Sequence, residues 1–278
     1  VKQPREQAHD IRTLHPDGTG AMSTNETAGT AFAGALRQLP ALQKTAKGAP
    51  AYSRFVNRRA GRYLAAAAYQ FGLTPNIVTA ISALFTFASI AALAVLPPSV
   101  PLGIFVCLGL LIGYALDSAD GQLARLRGGG SKSGEWLDHI VDSTKISSLH
   151  LAVLISGYRF FELPPGYLLV PIGFTVVAAV MFFGMTLNDQ LRRVHRATTG
   201  QAPAEEAKPS TLRSLIVVPT DYGLLCLAFL LLGFPTVFAA VYGLFFIANF
   251  VFLIAALGKW FNDMGMLDTA SGSQNKRG

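Results

Sequence analysis

Asp117, Asp120, Asp138 and Asp142 are the side chains whose spacing in this sequence could do chemistry. The first pair is separated by three positions and the second by four. At about 100° per residue, each spacing returns to nearly the same face of a helix. Carboxylates brought together in this way repel one another and need cations between them. A ligand set made only of oxygen favours a hard ion, Mg2+ or Mn2+, and four carboxylates can serve two ions. Such a centre suits phosphate chemistry, in which metal neutralises a diphosphate and aligns an in-line displacement. Small residues beside the acids leave room for a substrate: Gly121 and Ala124 share a broad face with Asp120, and Gly134 sits one turn before Asp138. Each glycine also has a second reading, close helix packing. Arg125 is available to phosphate oxygens. Lys145, one turn beyond Asp142, reads either as a counter-charge buried among the acids or as a contact for the second substrate.

The elements that must position these residues are membrane helices. Hydrophobic residues make up 51% of the 278 positions and charged residues 14%, too apolar a mixture for an ordinary soluble domain. Runs close to the roughly 20 apolar residues that a helical crossing needs recur at 76–96, 101–120, 135–157, 166–188, 215–233 and 235–257. The expected fold is therefore all-α and integral to the membrane, with six transmembrane helices. Asp117 and Asp120 fall near the end of the second span, and Asp138 and Asp142 near the beginning of the third. The short polar linker at 126–133 makes these spans antiparallel neighbours, so both acidic pairs converge on one pocket.

Basic residues fall on alternate connections. One side holds Arg54, Arg58, Arg59 and Arg62, then Arg125, Arg127 and Lys132, then Arg192, Arg193, Arg196, Lys208 and Arg213, and finally Lys259, Lys276 and Arg277. The other side carries Arg159 and Glu162. Lys and Arg mark the cytoplasmic face, which places both termini and the acidic pocket there, in what is expected to be a bacterial cell membrane. The net charge of +7 then reflects topology and contact with anionic lipid and calls for no nucleic-acid partner. Arg192, Arg193, Arg196 and Arg213 carry that reading beside another, reception of an anionic acceptor. Cys107 and Cys226 lie inside apolar spans without metal-ligand spacing, and no disulfide is expected. The N-terminal residues lack the basic, apolar and small-residue pattern of a signal peptide.

Four regions follow. Residues 1–51 read as a flexible cytoplasmic tail, 52–73 as an amphipathic juxtamembrane helix along the membrane surface, 74–258 as the six-helix domain and 259–278 as a flexible C-terminal tail. Thr74 is placed as N-cap and Pro75 at the first helical position, where its missing N–H leaves no bond unmade.

The acidic segment resembles the signature of the CDP-alcohol phosphotransferase family: two Asp flanking two residues, Gly, Ala-Arg, an eight-residue gap, Gly, then two Asp four residues apart. Here these are Asp117, Asp120, Gly121, Ala124, Arg125, Gly134, Asp138 and Asp142, with every gap matching. The likeness extends to Thr74-Pro75-Asn76 and the six-span layout, over roughly 52–258. The resemblance implies a membrane enzyme, often homodimeric, that moves a substituted phosphate from a CDP-alcohol such as CDP-diacylglycerol to a hydroxyl acceptor and releases CMP, in phospholipid or related phosphodiester synthesis. It assigns metal binding to Asp117, Asp120 and Asp138, and metal binding or the catalytic base to Asp142. The nucleotide site falls to Asp117, Gly121, Ala124, Arg125 and Gly134. Arg54 to Arg59 is similar to the start of family members that make inositol-phosphate phosphodiesters, whereas Ser214 to Tyr222 lacks their Glu-Arg-Pro pattern, so the acceptor stays open.

Two other classes compete. An aspartate-rich membrane prenyltransferase would also hold Mg2+ and diphosphate between helices, but it has two separated acidic motifs and this chain has one. A cation transporter would carry its carboxylates near the midplane, whereas these lie near one face beside Gly, Ala and Arg. The alternating charge makes topology testable: a Cys placed at Gly129 is expected to react with a membrane-impermeant thiol reagent only from the cytoplasmic side.

Overall fold

Chain ends and turns obey local rules that fix where each helix can begin. Among the described residues the computed structural model has eight α-helices: α1 (Thr24–Gln38), α2 (Arg58–Gln70), α3 (Pro75–Val95), α4 (Val100–Leu126), α5 (Lys132–Phe160), α6 (Leu169–Thr199), α7 (Tyr222–Ala228) and α8 (Pro235–Asn275). The structure describes residues 24–43, 50–200 and 220–275, with side chains within 31–43, 50–200 and 220–267. Thr74 caps α3, its Oγ1 accepting from Ile77 N at 3.3 Å with Pro75 at the first turn. Ser99 caps α4 in the same way through Leu102 N.

All helices and no strands make up the described secondary structure. Among the described residues four segments are long and apolar enough to cross a membrane: α3, α4, Pro165–Thr199 and Pro235–Leu267. These coincide with the first, second, fourth and sixth runs in the sequence. The third expected span corresponds to α5, whose 29 residues are long enough, about 44 Å at 1.5 Å per residue, but whose first half carries the acids. The fifth corresponds to the shorter apolar helix Tyr222–Gly233, formed by α7 and a 3-10 turn; positions 215–219 lie outside the described residues.

The expected tails differ from what the structure describes. Part of 1–51 is helical, as α1 followed by the 3-10 turn Leu39–Leu42. Ala35 and Leu39 bury themselves with Ala65, Ala66 and Ala68 of α2 and with Ala119 and Leu123 of α4, and this apolar contact orders the segment. At the other end, α8 continues to Asn275, past Gly258 where the sequence marks the end of the last span. Asp263 is shared between Lys259 one turn earlier, at 2.5 Å, and Arg192 of α6, at 2.6 Å, which joins α8 to α6 beyond the apolar run. Residues 1–23 and 276–278 lie outside the described residues, as do Lys208 and Arg213.

The main core lies among α3 to α8, around Leu93, Val106, Leu110, Leu149, Phe229, Phe238 and Tyr242. α3 and α4 approach closely because Gly109 and Gly113 present no side chain to Ser89 and Thr86, and Ser82 Oγ donates to Gly113 O at 2.8 Å. Within the core, His150 stacks on Phe174 and shares a 2.6 Å hydrogen bond with Tyr242.

The juxtamembrane region is built onto α4. Ser53–Asn57 forms a π turn that leads into α2. Asn57 Nδ2 donates to Tyr114 O at 3.2 Å, and Gly61 faces Ser118 so closely that a Cβ there would sit 2.7 Å from its Oγ. The start of this region is held by Asp221, the N-cap of α7, which is only 1% exposed. Its Oδ2 accepts from Tyr52 N at 2.7 Å and its Oδ1 from Gly223 N at 3.1 Å. Burial pushes the Tyr52 phenol above its ordinary value, and its ring stacks toward Tyr114. Asp221→Ala leaves both buried N–H groups without an acceptor. It is expected to lower unfolding stability by about 2–4 kcal/mol, read by thermal unfolding in detergent.

Candidate metal and nucleotide site

Backbone chemistry turns α4 back into α5. Gly128 and Gly129 adopt φ of 90° and 130°, a region that side chains disfavour, and Gly129 N bonds back to Ala124 O at 2.9 Å. Ser131 then caps α5, its Oγ accepting from Gly134 N at 3.0 Å. The two signature helices thus run antiparallel, each packed on α3, and their acidic side chains reach one another.

Three of the four aspartates meet. Carboxylate oxygens of Asp117, Asp138 and Asp142 lie within 4.8 Å of one another. At that separation each pair of charges repels by about 3–4 kcal/mol for an effective dielectric near 20, so the cluster needs cations. Lys145 supplies one. Its Nζ, on a side chain 8% exposed, is 2.7 Å from Asp117 Oδ1 and 2.5 Å from Asp142 Oδ1. One ammonium against three carboxylates leaves a net negative, oxygen-only cluster, which fits a hard divalent ion by charge and by donor type. Of the two sequence readings of Lys145, the structure displays the counter-charge.

Asp120 is turned away from this trio. It is 5% exposed and takes a 2.5 Å hydrogen bond from Thr79 Oγ1 of α3. Sequence reasoning missed Thr79. Its only signal was its place one turn after the Thr74-Pro75 start, on a helix whose polar residues looked incidental. Asp138 also has a neighbour on its own helix, His139, whose Nδ1 is 3.5 Å away.

The two glycines have different surroundings. A Cβ at Gly121 would meet only Arg125 Nη1, at 3.5 Å, so this face of α4 is open. A Cβ at Gly134 would be 2.9 Å from Asn76 Oδ1 and 3.1 Å from Ser131 Oγ, so Gly134 is the contact by which α5 closes on the start of α3. Ala124 lies at the helix end, its carbonyl engaged by Arg127 N and Gly129 N. Arg125 is held from outside the pair of helices: its Nε donates to Leu42 O at 2.7 Å. Arg193 of α6 reaches Glu135 in the first turn of α5 at 2.5 Å, and Arg192 is paired with Asp263.

The described fold is all-helical with several membrane-crossing segments, and its carboxylate cluster, where α4 and α5 face each other beside an open glycine face, fits metal-assisted phosphate chemistry. A family model described as CDP-alcohol phosphatidyltransferase matches residues 72–261, and the chain belongs to that family. It is accordingly a transferase of substituted phosphate groups that draws on a CDP-alcohol. Among curated proteins none matches. Two solved structures of the Mycobacterium tuberculosis phosphatidylinositol phosphate synthase PgsA1 are similar in outline. The one with CDP-DAG bound has 20% identity and a TM-score of 0.45, over 74% of this chain and 94% of that one. The one in complex with manganese and citrate has 22% identity and a TM-score of 0.42, over 71% and 87%.

The contrast between the glycines is directly testable. Gly121→Leu is expected to leave thermal unfolding near that of the parent and to weaken CDP-diacylglycerol binding at least tenfold, because bulk there fills open space. Gly134→Leu is expected to lower stability by about 1–3 kcal/mol through overpacking against Asn76.

Proposed function

We propose that the protein transfers the phosphoryl-alcohol portion of a CDP-alcohol, such as CDP-diacylglycerol, to a hydroxyl acceptor, with release of CMP. The observation that carries this reading is the meeting of Asp117, Asp138 and Asp142 beside the open face of Gly121, in a chain of this family. Asp117, Asp138 and Asp142 would hold Mg2+ or Mn2+ as they stand, and Asp120 would join them as the fourth carboxylate of a two-ion site by leaving its bond to Thr79. Such ions, when bound, neutralise the diphosphate and favour departure of CMP.

The chain's own residues do the rest. Gly121 and Ala124 give the nucleotide a low wall with Asp117 at its edge, and Gly134 serves that site by letting α5 close on the start of α3. Arg125 turns its free Nη groups toward the phosphates. Asp142 takes the proton of the acceptor hydroxyl as its oxygen bonds to the phosphorus and the bond from that phosphorus to the CMP oxygen breaks. Lys145 fixes the direction of Asp117 and Asp142, since its Nζ contacts both. Packing of Ile146 to Phe160 beyond the acids supports α5 as a crossing helix, and Tyr222–Gly233 completes six.

The same reading orients the molecule. Arginines before α3, at the α4–α5 turn and at the end of α6 support a cytoplasmic site. Phe55, Val56, Tyr63 and Phe71 are exposed around α2, which suits a helix lying in the membrane interface. Membrane lipid is then both solvent and source of substrate, and family resemblance extends the reading to a homodimer.

The aspartates separate by what fails when each is neutralised. Purified protein with Mg2+ is expected to release CMP from CDP-diacylglycerol when offered a suitable member of a panel of hydroxyl acceptors. Asp138→Asn is expected to weaken Mn2+ and CDP-diacylglycerol binding together. Asp142→Asn is expected to keep CDP-diacylglycerol binding within a few fold while CMP release falls by about 100-fold or more. Equal loss of metal affinity in both variants, or near-normal turnover of Asp142→Asn, overturns the base assignment.

A further inference from the structure

The segment that precedes the juxtamembrane helix lies outside the family-matched residues 72–261, yet it touches the signature helix at its most important cation. Leu39 is 1% exposed and Ala35 2% exposed, both packed on α2 and α4. These two anchor the 3-10 turn Leu39–Leu42, with Pro40 in its first turn, and Gln43 leaves it in extended conformation. The last carbonyls of such a turn have no partner within it and form its negative end. One of them, Leu42 O, accepts the hydrogen bond from Arg125 Nε.

A second contact fixes the neighbouring residue. Gln43 Nε2 donates to Gln122 Oε1 at 2.6 Å. Gln122 is 2% exposed and its own amide nitrogen is within 3.2 Å of both Arg58 O and Ser118 Oγ, so the buried amide joins three segments. Arg125 sits one turn beyond Gly121, and among the described residues its Nη1 is the only group within 4 Å of where a Cβ at Gly121 would sit. With Nε engaged, the guanidinium plane is set and its four Nη hydrogens remain for an anion.

We propose that residues 35–43 are a positioning element of the donor site, in which Leu42 O holds the Arg125 guanidinium at the open face of Gly121 to receive the diphosphate of a CDP-alcohol, and Gln43, bonded to Gln122, fixes the segment that carries Leu42. This rests on the donor-site reading of Arg125 given above. The segment touches no reacting atom; it acts through Arg125 by removing the freedom of a long side chain before the nucleotide arrives.

The test uses full-length protein in detergent with Mg2+ and CDP-diacylglycerol as probe. Three variants, Leu39→Asp, Gln43→Ala and Arg125→Ala, and the two doubles with Arg125→Ala, are compared by binding, Mn2+ affinity and thermal unfolding. Leu39→Asp and Gln43→Ala are each expected to weaken CDP-diacylglycerol binding, Leu39→Asp by about tenfold, the scale of one charge-assisted hydrogen bond. Mn2+ affinity stays unchanged, a separation that general loss of structure would not give. In the Arg125→Ala background neither substitution should weaken binding further. If Leu39→Asp fails to fold, Gln43→Ala and its double decide. Full additivity with Arg125→Ala, or parental binding in both segment variants while Arg125→Ala is impaired, overturns the proposal and leaves the donor-site reading standing. Parental binding by Arg125→Ala overturns both.

Discussion

Uncompensated charge among apolar helices is the constraint on which the rest of this structure depends. Asp117, Asp138 and Asp142 are drawn to one place, and Lys145 meets two of them with the shortest ion pairs in the cluster. An ammonium on a stem of four methylenes reaches along α5 and brings its charge to the acids, at a residue otherwise hidden from solvent. Removing it would leave three like charges side by side, and removing both Asp117 and Asp142 would leave a buried cation without a partner. Either change is costlier than the net worth of the pair. The cluster is thus balanced closely enough to exist and remains negative enough to attract a further cation.

That constraint accounts for the uneven legibility of the sequence. Apolar runs at 76–96, 101–120, 166–188 and 235–257 announced helices because they are long and carry few charges, and the caps at Thr74 and Ser99 follow local rules. α5 was legible by its length but not by its hydropathy, since its first turns carry the acids. The convergence of Asp117 with Asp138 and Asp142 could be inferred from helical spacing and a short linker. Asp120 could not be separated from them that way, because its direction is set by Thr79 on another helix. The order within 24–43 was illegible for a similar reason: short apolar groups such as Ala35 and Leu39 have no strong pattern of their own and gain order from Ala65, Ala66 and Leu123. Likewise α8 outlasts its apolar run because Asp263 finds Arg192 on a distant segment.

The juxtamembrane region shows one set of small residues used in two directions. Gly61, Ala65, Ala66 and Ala68 are buried, letting α2 come close to α4, while Tyr63 and Phe71 remain outside. A helix that reads as simply amphipathic thus has a protein-facing side of alanine and a separate side of aromatics. Hydrophobic pattern alone does not distinguish these partners, and side-chain volume does: alanine suits a neighbouring backbone and large aromatics suit an interface between water and lipid.

The glycine turn between α4 and α5 has a consequence for how such a protein can change over generations. Because Gly128 and Gly129 set the turn by their own backbone angles, an extra residue near Gly130 only lengthens a loop on the surface. An extra residue between Gly134 and Asp138 turns everything beyond it through about 100°. Asp138, Asp142 and Lys145 would then leave their partners together, as one rigid block. Insertions and deletions are therefore free on one side of Ser131 and ruinous a turn later, a sharp boundary written into the chain by the difference between a turn and a helix.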